Sequence, residues 1–216
     1  MCIRDRCTLK QYLLIKQASA LNNKSTEQSA DRNRTFDFQQ NFFELFGLPE
    51  SCVMDSSALR SAFMALQHDH HPDKHAAAKD DADRLLAVRI ASFINEAHQT
   101  LSVPLRRAEY CLQLRGVSTD TETDAKMDPG FLMEQMEWRE TLEAVDLTSN
   151  AAYDHLDKLK REITASVKAV AGNVEAQLEA SDLQAARDSV RQWQFLSKLV
   201  GEIDAAEARV DEATGQ

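Results

Sequence analysis

Apolar residues recur every three or four positions along most of the chain beyond residue 36, a spacing that places them on one face of an α-helix. A short apolar helix over 41–46 is predicted to end at Gly47 and Pro49. A second helix follows it, and Pro72 ends this helix because the residue before a proline is driven out of the α region. A third helix over 80–101 and a fourth over 104–116 are predicted next. The stripes of the second and third helices are Leu59, Phe63, Leu66 and Leu86, Ile90, Ile94, Ala97, Leu101.

The polar stretch 117–127 interrupts this periodicity and predicts a linker between two domains, 37–116 and 128–212. Beyond it, Asp128 and Pro129 form an N-cap and first-turn pair, and Ser181 is predicted to cap the last helix. Three long apolar stripes with short connections predict an antiparallel three-helix bundle, so the fold class is all-α. The stripes are Phe131, Trp138, Leu142, Val145; Ala152, Leu156, Leu159, Ile163, Val167, Val170, Val174; and Leu183, Val190, Trp193, Leu196, Val200, Ile203.

Composition agrees with this pattern and excludes several functions. Only six glycines and four prolines occur in 216 residues, which favours helix over hairpins. A formal net charge of −10 argues against nucleic-acid binding, which depends on clustered Lys and Arg. No apolar run reaches the roughly 20 residues that span a bilayer. The four cysteines form no CxxC pair, so a reducing cytoplasm is expected.

Residues 1–36 differ from the rest and are expected to lie outside the fold. The opening Met-Cys-Ile-Arg-Asp-Arg is similar to the translated end of a sequencing-library transposon, which indicates an artefact. The remainder is polar apart from 12–15, which is typical of a disordered extension. A mitochondrial presequence is the alternative, but Glu27, Asp31 and Asp37 are unusual in such acid-poor segments.

The connection between the second and third helices has the most unusual composition. Residues 68–75 read His-Asp-His-His-Pro-Asp-Lys-His. His71 and His75 could bracket a metal ion, although Pro72 breaks the helix that would align them and no cysteine lies within the cluster. Catalysis would need a nucleophile that this segment lacks. A third interpretation is a turn held rigid by Pro72 and recognised by another protein.

Two amphipathic helices joined by a loop that contains His-Pro-Asp form an arrangement that resembles the J-domain of DnaJ-type co-chaperones. The residues that carry this resemblance are Phe43-x-x-Phe46-Gly47-Leu48-Pro49, His71-Pro72-Asp73-Lys74 and Ile94-Asn95-x-Ala97-x-x-x-Leu101. Three further segments are similar to the HscB (heat-shock cognate B) family of J-proteins, and the resemblance covers 38–212. They are 104–110 (PLRRAEY), 131–140 (FLMEQMEWRE) and 195–199 (FLSKL).

The resemblance implies a roughly L-shaped, non-enzymatic co-chaperone of iron–sulfur cluster assembly. It would deliver the scaffold protein IscU to HscA, a DnaK-type ATPase, and stimulate ATP hydrolysis. The implied chaperone-binding residues are His71, Pro72, Asp73, Lys74 and Arg60, with Asp73 meeting an arginine of the ATPase domain. This chain departs from the family pattern at His70, where an aromatic is usual, and in a second helix with few basic residues.

The implied scaffold-binding residues lie on the first helix of the C-terminal bundle and near the end of its last helix. The alternative for the apolar ones is simple burial on a wide helix face. Ala144 stands where the family often has an acidic residue. The predicted set is Leu132, Met133, Met136, Glu137, Arg139, Glu140 and Phe195.

No cofactor and no metal are expected on this chain, because it lacks a clustered set of thiolates and the iron–sulfur cluster would reside on the partner. A bacterial cytoplasmic location is expected, in preference to the mitochondrial matrix, with no membrane or nucleic-acid partner. Two alternatives stay open: a J-protein that serves a different client, and a metalloprotein built on the histidine cluster.

Overall fold

A computed structural model describes residues 36–70, 81–119, 128–149 and 151–214. Within these ranges every regular element is an α-helix, which confirms the predicted all-α class. None of the described helices is long and apolar enough to cross a membrane. The elements are α1 (Phe42–Phe46), α2 (Ser56–Asp69), α3 (Asp81–Ser102), α4 (Pro104–Leu114), α5 (Pro129–Glu143), α6 (Ala152–Glu179) and α7 (Leu183–Thr214).

The chain forms two compact units. Unit 1 comprises Met1–Glu50 and Met54–Ser102, of which residues 36–50, 54–70 and 81–102 are described. Unit 2 comprises Ser51–Val53 and Val103–Gln216, of which residues 51–53, 103–119, 128–149 and 151–214 are described. The division after Ser102 differs from the expected linker at 117–127, because α4 belongs to unit 2.

The side chains of α4 explain this difference. Ala108, Cys111 and Leu112 are buried, and α4 packs against α6 and α7. Glu109 accepts a 2.7 Å hydrogen bond from the side-chain amide of Gln194 on α7. The sequence predicts a helix that starts at Pro104, as observed, but it does not specify the partner of the buried face of α4.

In unit 1, α2 and α3 form an antiparallel hairpin that packs with α1. Phe63 stacks on His98 with ring centroids 3.9 Å apart, and Gln67 donates a 3.1 Å hydrogen bond to Asn95, so residue numbers rise along α2 as they fall along α3. At α1, Gly47 has a φ of 63°, the left-handed conformation that favours glycine at a helix end. The buried apolar residues are Phe43, Leu45, Phe46, Leu59, Ala87, Ile90, Ile94, Ala97 and Leu101.

The N-terminal boundary of unit 1 requires a correction at Phe36. The sequence pattern places this residue in the extension, but its ring lies edge-on to Phe93 at 5.8 Å and to His70 at 5.5 Å. Phe38 also contacts Phe93, at 5.6 Å. The sequence pattern missed Phe36 because its partners are distant along the chain. The rest of the predicted extension, 1–35, lies outside the described residues.

In unit 2, α5, α6 and α7 form the predicted helical bundle, with α6 and α7 as its longest pair. Ser181 has a φ of 59° in the turn between them, and Asp182, rather than the predicted Ser181, accepts from the Ala185 amide at 3.1 Å. The largest buried residues confirm most of the predicted stripes. They are Phe131, Trp138, Leu156, Leu159, Ile163, Val170, Val174, Leu178, Val190, Trp193, Leu196, Leu199 and Ile203.

Candidate functional site

The predicted chaperone-binding loop falls in the connection between the two helices of the hairpin. His71, Pro72, Asp73 and Lys74 lie outside the described residues. On the near side of the loop α2 ends at Asp69, where His68 Nδ1 lies 3.3 Å from a carboxylate oxygen of Asp69. The fifth predicted residue is Arg60, which is exposed on α2.

The metal-site alternative receives no support from the part of the chain that is described. No group of three His, Cys, Asp or Glu side chains is arranged there to hold a metal ion. His71 and His75, on which that alternative depends, lie outside the described residues.

The second predicted site is built on α5. Asp128 accepts a 3.1 Å hydrogen bond from the Phe131 amide and Pro129 occupies the first turn, so the helix begins where the sequence predicts. Its buried residues are Phe131, Gln135 and Trp138, at spacings of four and three. These three positions form one narrow stripe toward the bundle.

Three large apolar residues remain outside that stripe. Leu132 is 43% exposed, Met133 is 65% exposed and Met136 is 63% exposed. Burial of the two methionines in the core, the simpler alternative, is therefore contradicted. Apolar side chains at this exposure on a stable helix are typical of a surface that another protein covers.

Charged residues surround these apolar side chains. Glu137, Arg139 and Glu140 are exposed, as are Glu134 and Glu143 on the same helix. At about 100° per residue, Leu132 and Arg139 lie along one edge of the buried stripe and Met136 lies beside them. The predicted residues of α5 thus form one continuous surface.

Phe195 joins this surface from α7. It is half-buried, with its ring edge-on to Phe131 at a centroid distance of 6.2 Å. The guanidinium carbon of Arg139 lies 5.6 Å from the centroid of Phe195, a cation–π contact. The structure therefore brings Arg139 and Phe195 together, as the resemblance implied. We call Leu132, Met133, Met136, Glu137, Arg139, Glu140 and Phe195 the α5 surface.

Sequence reasoning missed Glu202, which forms an ion pair with Arg139. A carboxylate oxygen of Glu202 lies 3.8 Å from Nη2 of Arg139, and both side chains are partly exposed. No local signal identifies this pair, because the two residues are on different helices and meet only when α5 and α7 pack. Ala144, the predicted departure, is the exposed C-cap of α5.

Comparisons with known proteins agree on one family. Residues 127–204 match the model of the HSCB C-terminal oligomerisation domain. A co-chaperone protein HscB homolog of Cupriavidus taiwanensis is 43% identical over 170 residues, covering 79% of this chain and 94% of that protein. The solved chaperone HscB from Vibrio cholerae aligns with a TM-score of 0.70 at 43% identity, over 79% of this chain and 99% of the other. The crystal structure of human co-chaperone protein HscB gives a TM-score of 0.72 at 26% identity, over 80% and 84%. The chain belongs to the HscB family of co-chaperones.

Proposed function

We propose that this chain binds the iron–sulfur scaffold protein IscU through the α5 surface, delivers it to the chaperone HscA and stimulates the ATPase of HscA. The observation that carries the proposal is the exposure of Leu132, Met133 and Met136 beside a complete core stripe. Membership of a co-chaperone family is consistent with a protein client at this surface.

The chemistry of the α5 surface suits a protein partner. Apolar anchors supply most of the binding energy of an interface, and the charged rim supplies orientation and a faster association rate. Phe195 is held on one side by Phe131 and on another by Arg139, so its ring is positioned before a partner arrives. Little conformational entropy is lost when such a prearranged side chain is covered.

The chaperone-binding function is assigned to His71, Pro72, Asp73 and Lys74, with Arg60 as a supporting cation. An aspartate in a rigid turn can form a charge-assisted hydrogen bond with an arginine of HscA, and a contact made in one state of the ATPase shifts the chaperone toward that state. No covalent chemistry on this chain is required, so the protein is not an enzyme. The iron–sulfur cluster stays on the scaffold, and the location is the bacterial cytoplasm.

The scaffold-binding proposal is tested with the triple variant Leu132→Ala, Met133→Ala, Met136→Ala. Because all three side chains are exposed, helix content and melting temperature should change little, while the Kd for IscU rises about tenfold or more in calorimetric titrations. The matched control replaces three similarly exposed apolar residues of unit 1, Met64, Leu85 and Val88, with Ala. A folded α5 variant with unchanged affinity would place the scaffold elsewhere, and a wild-type chain that does not bind IscU would indicate another client.

The chaperone-binding proposal is tested with Asp73→Asn, which should abolish stimulation of the HscA ATPase and leave IscU binding unchanged. Asp69→Asn is the matched control, since it removes the same charge from an exposed position at the end of α2. Equal ATPase stimulation by the two variants would contradict the role of Asp73.

A further inference from the structure

Two cysteines that are distant in sequence meet within unit 2. Cys52 lies in the Ser51–Val53 segment, which clusters with unit 2 rather than with the residues on either side of it. The Nε of Arg107 on α4 donates a 2.8 Å hydrogen bond to the carbonyl oxygen of Cys52 and ties the segment to that helix. Cys111 is one helical turn beyond Arg107, on the same face of α4. The side chains of Cys52 and Cys111 lie within hydrogen-bonding reach of each other.

The two thiols differ in their access to solvent. Cys52 is half-buried, whereas Cys111 is buried. A small reagent from solvent therefore reaches the sulfur of Cys52 first. Neither cysteine forms a disulfide in this structure.

The surroundings favour the thiolate form of Cys52. The hydrogen bond with Cys111 lowers the pKa of Cys52, and the positive charges of Arg107 and Arg115 lower it further. Burial and the charge of Glu175 oppose this shift without cancelling it. A cysteine with a lowered pKa and partial exposure, next to a second thiol, has the properties of a reactive thiol with a resolving partner.

We propose that Cys52 and Cys111 form a reversible redox pair that reacts with hydroperoxides. The thiolate of Cys52 attacks one peroxide oxygen, the O–O bond breaks, and the leaving alkoxide or hydroxide takes a proton to become an alcohol or water. Cys52 is then a sulfenic acid. The sulfur of Cys111 attacks the sulfur of Cys52, the S–O bond breaks, and water leaves with the proton of Cys111. The thiols lose two electrons in total, and the peroxide gains them.

The disulfide would have a defined structural effect. It would close a covalent loop that contains both helices of the unit 1 hairpin, because Cys52 precedes α2 and Cys111 follows α3. Closing a long loop raises stability by restricting the unfolded chain. A reductant of the dithiol class reverses the reaction by thiol–disulfide exchange.

The experiment treats the full chain with a small excess of hydrogen peroxide in a Cys2→Ser, Cys7→Ser background, which removes the other two thiols. Intact mass should fall by about 2 Da, the loss of two hydrogens, and peptide mapping should link Cys52 to Cys111. Dithiothreitol should restore the original mass. The oxidised protein should melt at a higher temperature than the reduced protein.

Two variants separate the proposed chemistry from nonspecific oxidation. Cys111→Ser should stop at the sulfenic acid of Cys52, detected as a dimedone adduct, with circular dichroism confirming the fold. Arg107→Gln, which keeps a hydrogen-bond donor, should slow oxidation by about threefold or more, because the fraction of Cys52 present as thiolate falls. Arg106→Gln is the matched control and should oxidise at the wild-type rate, because Arg106 is exposed on the neighbouring position of α4. Oxidation of Cys52 to sulfinic acid without a disulfide, or equal rates for the two arginine variants, would overturn the proposal.

Discussion

Helices α5 and α6 belong to the same bundle but distribute their apolar residues differently. On α6 the large apolar side chains face inward, including Leu156, Ile163 and Val174, with the exception of Tyr153, which is 37% exposed, and the other outward positions are mostly charged or small. On α5 the buried stripe is Phe131, Gln135 and Trp138, while three large apolar residues face solvent. The core accounts for nearly all the large apolar residues of α6, and it does not account for Leu132, Met133 and Met136 of α5.

The difference shows how a binding surface can be recognised on an amphipathic helix. Apolar residues beyond those needed for packing lower solubility and add little to the stability of the free protein, so their presence needs another explanation. In α5 the buried stripe itself contains a polar residue, Gln135, while larger apolar residues of the same helix are exposed. The excess apolar surface of α5 is therefore better explained by a partner than by the bundle.

The largest effect that tests this comparison is expected from Ile163→Ala on α6. Ile163 is fully buried, so its truncation should lower the free energy of unfolding by about 2–5 kcal/mol through lost burial and a cavity. Met133→Ala is the matched substitution on α5 and should change it by no more than about 0.5 kcal/mol. Urea titration measures both. Similar losses for the two variants would break the distinction between the helices.

An intermediate effect is expected from Phe195→Ala, because this residue packs against Phe131 in the bundle and is also part of the proposed binding surface. Loss of its contact with Phe131 should destabilise the bundle by about 1–3 kcal/mol, less than a fully buried Phe. Affinity for IscU should fall as well. Phe195→Leu is the control, since it retains much of the packing and loses the ring that Arg139 contacts. A variant with unchanged stability but lost binding would show that Phe195 belongs wholly to the surface.

The smallest effect concerns the polar side of α6. Lys160 Nζ lies 2.7 Å from Asp204 and 2.6 Å from Glu207, and these hydrogen bonds raise the pKa of Lys160 above its ordinary value. Because the pKa is raised in the folded state, the stabilisation is complete below about pH 10.4 and is lost as the pH rises above it.

Lys160→Met should therefore reduce the decline in melting temperature above about pH 10.4. Near neutral pH the substitution should lower the free energy of unfolding by no more than about 1 kcal/mol, because the ion pairs of Lys160 are partly exposed. Lys158→Met is the control, because the ion pair of Lys158 with Glu162 is longer, at 4.0 Å. Identical pH profiles for the two variants would show that Lys160 contributes nothing specific.

Local periodicity was sufficient to predict the helices, but not the partners of their faces. Leu59, Ile90 and Ile94 were predicted in the core of the hairpin and are buried there. The assignment of α4 to unit 2 and the packing of Phe36 depend on contacts between distant residues, which spacing alone does not encode. For the same reason the α5 pattern left burial and binding open for Met133 and Met136 until the position of α7 was known.

In the candidate sites too, some residues were predicted from the sequence, whereas the contacts between distant residues were not. The family resemblance placed Arg139 and Phe195 in one surface, and the described contacts bring them together. The pairing of Arg139 with Glu202 and the meeting of Cys52 with Cys111 both depend on tertiary packing. The four loop residues 71–74 stay predictions from the resemblance.

The location of the tryptophans has a spectroscopic consequence. The chain has two, Trp138 and Trp193, and both are buried in unit 2. Tryptophan fluorescence, excited selectively, therefore reports on unit 2 alone, whereas far-ultraviolet circular dichroism reports on the helices of both units. Unfolding curves recorded by the two signals would coincide if the units lose structure together and separate if they do not.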